Sequence, residues 1–76
     1  MCGIIGYIGK RNAVEELIGG LYKLEYRGYD SSGLSVFDKA SGKIVTEKKF
    51  GRIANLDSAT KELRSGGYTF GIAHTR

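Results

Sequence analysis

The chain has 76 residues, a formal net charge of +4, one cysteine and one histidine. Its length allows at most one small domain, and its single cysteine excludes an internal disulfide and a zinc site built from four thiolates. The positive charge raises nucleic acid as a partner, but basic residues are spread along the chain with acidic residues between most of them, so we expect a solvated surface and no nucleic acid.

No apolar run approaches the ~18 residues that a membrane-spanning helix needs. The N-terminus also lacks the basic and apolar regions of a secretory signal, so we expect a cytoplasmic chain with no membrane partner. A domain of about 60 residues buries only about 60% of its unfolded surface. We therefore expect this chain to be a piece of a larger unit, or to need a partner to be stable.

The first predicted element is a buried strand over residues 2–8, because the run Cys-Gly-Ile-Ile-Gly-Tyr-Ile is apolar and rich in β-branched side chains. Glycines within and just after this run weaken the strand and mark places where another part of the molecule comes close. Two explanations for these glycines stay open: a bound ligand comes close to the strand, or the strand packs tightly under a helix.

Cys2 is the candidate nucleophile, because removal of Met1 would leave a thiol and a free α-amino group on the same residue. The pKa of an α-amino group is about 7.7 to 8.0, so roughly a tenth of it is neutral at pH 7 and can accept the thiol proton. Retention of Met1 would convert this nitrogen to an amide and remove the base. The alternative is that Cys2 is a small apolar residue buried at the start of the strand.

A helix is predicted to begin at Asn12, a good N-cap, with Glu15 three residues later completing a capping box. Apolar residues then recur at three- and four-residue steps, which is typical of a core-facing helix. The members of this stripe are Val14, Leu17, Ile18, Leu21 and Leu24. Gly19 and Gly20 each weaken a helix by about 1 kcal/mol relative to alanine, so we expect a close helix contact there.

Residues 25–33 are polar, rich in turn formers and without a clear period, which predicts a loop. The loop presents a guanidinium, two phenols and a carboxylate within five residues. Loops held by rigid elements often carry binding groups, so this one is a candidate binding loop. The alternative is a surface turn in which Gly28 caps the helix.

Residues 34–38 and 43–49 alternate in polarity around the turn Lys-Ala-Ser-Gly, which predicts a β-hairpin. Leu34 and Val36 are expected to face one side of it and to meet Ile44 and, less clearly, Thr46 of the other strand on that same side.

A second, weaker helix is predicted over residues 53–64, with Leu56, Thr60 and Leu63 on one face. Gly66 and Gly67 end this helix, and residues 68–74 return to a strand pattern that leads directly to Arg76.

Three motifs occur together in this chain: Met-Cys-Gly-Ile at the start, Glu-Tyr-Arg-Gly-Tyr-Asp-Ser-Ser-Gly in the loop and Gly-Ile-Ala-His-Thr-Arg at the end. Their order and spacing resemble the N-terminal glutaminase domain of class II glutamine amidotransferases, which have the N-terminal nucleophile hydrolase fold. The resemblance implies an α+β fold of the four-layer α/β/β/α sandwich type. Residues 1–76 would be the N-terminal segment of that domain and would be incomplete alone.

The resemblance also implies residue roles. Cys2 matches the nucleophile, which attacks the side-chain amide of L-glutamine, forms a γ-glutamyl thioester and releases ammonia before water frees glutamate. Arg76 matches the arginine that binds the α-carboxylate, as a planar guanidinium can do bidentately. Arg27 and Gly28 match the loop beside the nucleophile and are expected to orient the terminal cysteine. No metal and no cofactor are implied.

Two parts of the family's glutaminase site are expected downstream of Arg76: the Asn-Gly pair of the oxyanion hole and the acidic residue that holds the substrate amino group. Losing one oxyanion donor costs on the order of 10² to 10³ in rate, so the chain alone is expected to be close to inactive. The implied partners are the remainder of the glutaminase domain and sugar isomerase domains, within a homodimeric parent enzyme. The resemblance implies fructose 6-phosphate as the acceptor of the ammonia. Two alternatives are a class II amidotransferase that delivers ammonia to a different acceptor, and a non-catalytic basic binding module.

Overall fold

The computed structural model describes residues 3–25 and 30–76 of the chain. These residues form four strands, two α-helices and one 3₁₀ helix in the order β1 (Gly3–Ile8), α1 (Ala13–Leu24), β2 (Ser31–Asp38), β3 (Lys43–Phe50), α2 (Ile53–Ala59), the 3₁₀ helix (Lys61–Ser65) and β4 (Tyr68–Thr75). The predicted α+β class is confirmed at this level, while the four-layer sandwich stays a prediction.

The four strands form one antiparallel sheet in the order β1-β4-β2-β3. The last strand of the chain thus lies between the first and the second. Gly3 pairs with Thr75, and Thr75 pairs with Ser32 on its other side. This topology brings the beginning of β1, the end of β4 and the beginning of β2 to the same end of the sheet.

Helix α1 begins as predicted, because the Asn12 side chain accepts a hydrogen bond from the backbone N–H of Glu15 at 3.1 Å. The same side chain donates to the carbonyl oxygens of Leu63 and Gly66, each at 3.1 Å. Asn12 therefore caps α1 and also attaches its first turn to the chain that enters β4.

The core lies between the helices and one face of the sheet, because the apolar stripe of α1 meets every second residue of the strands. All its members are at most 2% exposed: Ala13, Val14, Leu17, Ile18, Leu21, Leu34, Val36, Ile53, Leu56 and Ala73. Each fully buried large aliphatic side chain contributes about 1.5 to 3 kcal/mol relative to exposure, so this face accounts for most of the stabilisation.

The two helix glycines differ in their surroundings. A Cβ atom on Gly20 would lie 2.6 Å from Cδ1 of Ile5, whereas a Cβ on Gly19 would meet no atom within 4 Å. The predicted close contact is thus confirmed for Gly20, which lets α1 approach β1, and is wrong for Gly19.

A polar contact joins the two α-helices at the surface. The hydroxyl of Tyr22 donates to Asp57 Oδ2 at 3.0 Å, and Arg64 pairs with the other carboxylate oxygen of Asp57. The hydrogen bond to Asp57, and secondarily burial, raise the pKa of the Tyr22 phenol.

The hairpin of β2 and β3 is confirmed, with Gly42 at a positive φ in its turn. The prediction that Ile44 lies on the same side of the hairpin as Val36 was wrong, because Val36 pairs with Val45 while Ile44 pairs with Phe37. Since side chains alternate along a strand, a register shifted by one residue reverses the face of the whole set. Ile44 and Thr46 accordingly lie on the face opposite the core.

Two other boundaries differ from the prediction. The predicted loop ends earlier, because β2 begins at Ser31. The predicted second helix is divided after Ala59, where the hydroxyl of Thr60 donates to the carbonyl oxygen of Leu56 at 2.9 Å and a 3₁₀ helix follows. Hydroxyl groups that bond back to the preceding turn compete with the regular helix pattern, which accounts for the change.

The face of the sheet away from the helices, here called the open face, exposes large apolar side chains. They are Ile4, Ile8, Ile44, Phe50, Phe70 and Ile72, which are between 40% and 86% exposed. Phe70 stacks near Phe37 with ring centroids 4.8 Å apart, beside a hollow of about 290 Å³. Within residues 3–25 and 30–76, no helix is long and apolar enough to cross a membrane.

Candidate functional site

Arg76 follows β4 directly and is fixed through its backbone. Its N–H donates to the carbonyl oxygen of Ser31 at 2.8 Å, and its own carbonyl accepts from the N–H groups of Ser31, at 3.1 Å, and Asp30. Ser31 and Arg76 therefore form a hydrogen-bonded antiparallel pair that extends the β2–β4 ladder by one residue. The side chain of Arg76 is exposed and forms no ion pair with another described residue, so its guanidinium is available for a ligand.

Cys2, Arg27 and Gly28 lie outside the described residues, and their predicted roles stay predictions. The described residue that follows Cys2 in the chain, Gly3, pairs with Thr75, the residue that precedes Arg76.

The segment that contains Arg27 and Gly28 is attached to the same end of the sheet at both of its ends. On one side it follows the last turn of α1, where Cδ1 of Leu24 lies 2.7 Å from the point that a Cβ on Gly3 would occupy. On the other side it leads into Asp30, whose N–H bonds to the Arg76 carbonyl. The structure thus brings Gly3, Leu24, Asp30 and Arg76 to one end of the sheet.

The first glycine of β1 is explained by packing. A Cβ on Gly3 would meet Leu24, and the hydroxyl oxygen of Thr75 lies 3.3 Å from the same point. Of the two explanations for the glycines near Cys2, tight packing under a helix is therefore the one observed at Gly3. This packing fixes the beginning of β1 against the last turn of α1.

Sequence reasoning missed the hydroxyl groups beneath this site. Ser32 is 1% exposed and Thr75 is 4% exposed, and the two are paired across β2 and β4. Neither stands out in the sequence, because only the strand pairing shows that both face the helices. Among the described residues, no group of histidine, cysteine and acidic side chains could hold a metal ion.

One end of the sheet carries the exposed guanidinium of Arg76, together with the beginning of β1 and the residues that flank the polar loop. The resemblance to class II glutamine amidotransferases predicts this arrangement. No protein-family model matches the chain. All 76 residues, however, are similar to curated proteins named glutamine–fructose-6-phosphate aminotransferase (isomerizing). The resemblance is thereby confirmed over the whole chain.

Three of these relatives illustrate the similarity. The chain is 53% identical to the protein of Staphylococcus epidermidis, 50% identical to that of Clostridium perfringens and 45% identical to that of Streptomyces coelicolor. Each match covers 100% of this chain and 12% of the relative. The chain thus spans about an eighth of the length of the curated relatives that it matches.

Proposed function

We propose that the chain carries the nucleophile and the carboxylate-binding arginine of a glutaminase site that supplies ammonia to fructose 6-phosphate. The overall products would be glucosamine 6-phosphate and glutamate. The observation that carries this proposal is the pairing of Gly3 with Thr75, which places the neighbours of Cys2 and Arg76 side by side. The acceptor sugar is taken from the names of the relatives.

In the proposed reaction, the α-amino group of Cys2 accepts the thiol proton as the sulfur attacks the side-chain carbonyl carbon of glutamine. The carbon–nitrogen bond then breaks, the proton passes to the leaving nitrogen, and ammonia departs from a γ-glutamyl thioester. Attack by water breaks the carbon–sulfur bond, yields glutamate and restores the thiol. No metal or redox step is needed for this sequence.

Arg76 would bind the α-carboxylate of glutamine and so fix the distance between this end of the substrate and the sulfur. Its backbone is held by the pair with Ser31, while its side chain is exposed. A guanidinium can form two parallel charge-assisted hydrogen bonds to a carboxylate. Arg27 and Gly28 would orient the terminal cysteine from the loop between α1 and β2.

The open face supports the proposed four-layer sandwich. In this arrangement a second sheet of the same domain, supplied by chain beyond these 76 residues, would cover Ile4, Ile8, Ile44, Phe70 and Ile72. Contiguous apolar patches of more than a few hundred Å² are rare on monomers and mark interaction sites. The relatives, of which this chain spans 12%, are long enough to supply such a sheet.

The proposal is tested with a chimera in which this chain replaces the matching 76 residues of the Staphylococcus epidermidis relative. The isolated chain should release no glutamate from glutamine, because the oxyanion hole is expected beyond it, whereas the chimera should hydrolyse glutamine. An inactive but folded chimera would contradict the proposal, as would robust turnover by the isolated chain.

In the chimera, Arg76→Gln should lower kcat/KM for glutamine by about 10²-fold or more, mainly through KM. Hydrogen bonds to charged groups contribute about 1.5 to 3 kcal/mol each, and the glutamine side chain cannot replace the charge. Arg76→Lys should be intermediate, since lysine keeps the charge without the bidentate geometry. Arg11→Gln is the matched control because that side chain is 83% exposed and belongs to another part of the fold. If Arg76→Gln and Arg11→Gln had equal KM values for the substrate glutamine, the role assigned to Arg76 would be excluded.

A further inference from the structure

Strand β1 has a partner on one side only. In the part of the chain that the structure describes, only β4 pairs with it, so the other side of β1 is a free edge of the sheet. The N–H of Gly9 donates to the carbonyl oxygen of Thr69 at 3.1 Å and continues the register of β1 with β4. Since hydrogen-bonded residues alternate along an antiparallel strand, Ile5 and Tyr7 also bond to β4, whereas the N–H and C=O groups of the residues between them point away from it. These outward-pointing residues are Ile4, Gly6 and Ile8.

The free edge of β1 lacks the usual protection of an edge strand. None of its six residues is charged or proline, and its pairing with β4 has no register shift. Natural edge strands are protected by lysine, proline, bulges or a covering segment, because unpaired backbone groups otherwise recruit another strand. Ile4 and Ile8 are also 81% and 83% exposed. An apolar, uncharged edge of this kind is expected to have a partner in the whole protein.

The opposite edge of the sheet, at β3, is protected. The N–H of Gly51 donates to the carbonyl oxygen of Asp30 at 2.9 Å, so the same alternation applies along β3. The residues of β3 whose backbone groups point outward include Ile44, Thr46 and Lys48. Four of the eight residues of this strand are charged, namely Lys43, Glu47, Lys48 and Lys49. The contrast indicates that the sheet ends at β3 and continues beyond β1.

The area of the β1 edge indicates what kind of partner it has. An edge of six residues is about 20 Å long and about 10 Å thick, so pairing would bury about 200 Å² on each side. Stable complexes between separate chains bury about 1,200 to 2,000 Å² in total. A second copy bound only through this edge would therefore be weakly held, whereas a segment of the same polypeptide has a high effective concentration. The relatives, of which this chain spans 12%, are long enough to supply such a segment.

We propose that a strand of the same polypeptide, from chain beyond these 76 residues, pairs with the free edge of β1, while β3 remains the edge of the sheet. The added strand has about five or six residues, carries no proline at its paired positions and places apolar side chains beside Ile4 and Ile8. It extends the present sheet and is thus distinct from the second sheet proposed to cover the open face. Strand β1, which follows Cys2 in the chain, is then held from both sides.

The test is hydrogen–deuterium exchange of the folded chimera, resolved to single residues by electron-transfer fragmentation. The outward amides of β1 should exchange as slowly as those of Ile5 and Tyr7, because both sets are hydrogen-bonded. If β1 is an edge, its outward amides will instead exchange about 10²-fold or more faster than the amides bonded to β4, and this alternating pattern would overturn the proposal. Fast exchange is expected at Ile44, Thr46 and Lys48, and slow exchange there would contradict the assignment of β3 as the edge.

A matched pair of proline variants of the chimera gives a second measurement. Ile8→Pro should lower the melting temperature by about 5 °C or more beyond the change caused by Ile44→Pro, because proline is tolerated at an outward-pointing position only on an edge strand. Each variant removes an outward N–H and an isoleucine of the open face that is 83% or 69% exposed, respectively. Equal melting temperatures would contradict the proposal. A halved mass of the Ile8→Pro chimera in light scattering would assign the edge to a second copy and also overturn it. Glutamine hydrolysis by the unsubstituted chimera tests the glutaminase proposal separately.

Discussion

Replacing Cys2 with alanine in the chimera should abolish glutamate release from glutamine, with a loss of at least about 10⁴-fold, the order seen when a covalent nucleophile is removed. The reason is that the other groups of the site bind and orient the substrate but cannot form the thioester. The measurement is the initial rate of glutamate formation at saturating glutamine. Cys2→Ser is the companion variant, because its hydroxyl is a much weaker nucleophile than a thiol and should restore little activity.

The control for the Cys2 variants is their stability. Both should unfold at the same urea concentration as the parent chimera, because the change in side-chain size is small and the residue precedes β1 in the chain. Substantial glutamate release by the alanine variant would show that another residue performs the attack. An alanine variant that no longer folds would instead support the alternative in which Cys2 is a core residue.

Leu17→Ala should destabilise the chain by about 3 to 5 kcal/mol, the range for removing a fully buried leucine that leaves a cavity. Leu17 is 0% exposed and lies in the middle of the apolar stripe of α1. Small domains rarely have more than about 3 to 5 kcal/mol of stability, so the variant should be largely unfolded at 25 °C. Circular dichroism at 25 °C measures the folded fraction of the variant, and urea denaturation gives the free energy of unfolding of the parent.

Ile4→Ala is the matched control for Leu17→Ala, because Ile4 is equally apolar but 81% exposed on the open face. In the isolated chain it should change the free energy of unfolding by less than about 0.5 kcal/mol. A cost for Ile4→Ala close to that for Leu17→Ala would show that the open face is already covered in the isolated chain. In the chimera, by contrast, the proposed second sheet should make the same substitution costly.

The helix α1 could be predicted from the sequence because its signals are local. The Asn12 cap and the apolar stripe act within one element, and both were found. The hairpin register could not be predicted in the same way, since Ile44 and Val45 are both apolar and either could face the core. Only the packing of the helices on one side decides that Val45 faces inward. The break at Thr60 likewise depends on a hydroxyl contact that helix periodicity does not reveal.

The candidate site was predictable only in part, and for a different reason. Its residue types followed from the position of Cys2 and from the three motifs, which require no knowledge of the fold. The pairing of Gly3 with Thr75 depends on the insertion of β4 between β1 and β2, a contact between residues far apart in the chain. Alternation along a strand does not specify which strands are its neighbours, so the pairing of Ser31 with Arg76 could not be predicted from the sequence.

The decisive measurement is mass spectrometry of the chimera after exposure to diazo-oxo-norleucine, an electrophile that resembles glutamine. We expect one adduct, on the sulfur of Cys2, in a peptide that begins at Cys2 because Met1 has been removed. Excess glutamine should protect against labelling, and the Arg76→Gln variant should be labelled more slowly than the Arg11→Gln control. An active chimera that retains Met1, or one whose adduct lies on any other residue, would contradict the assignment of Cys2 as the N-terminal nucleophile.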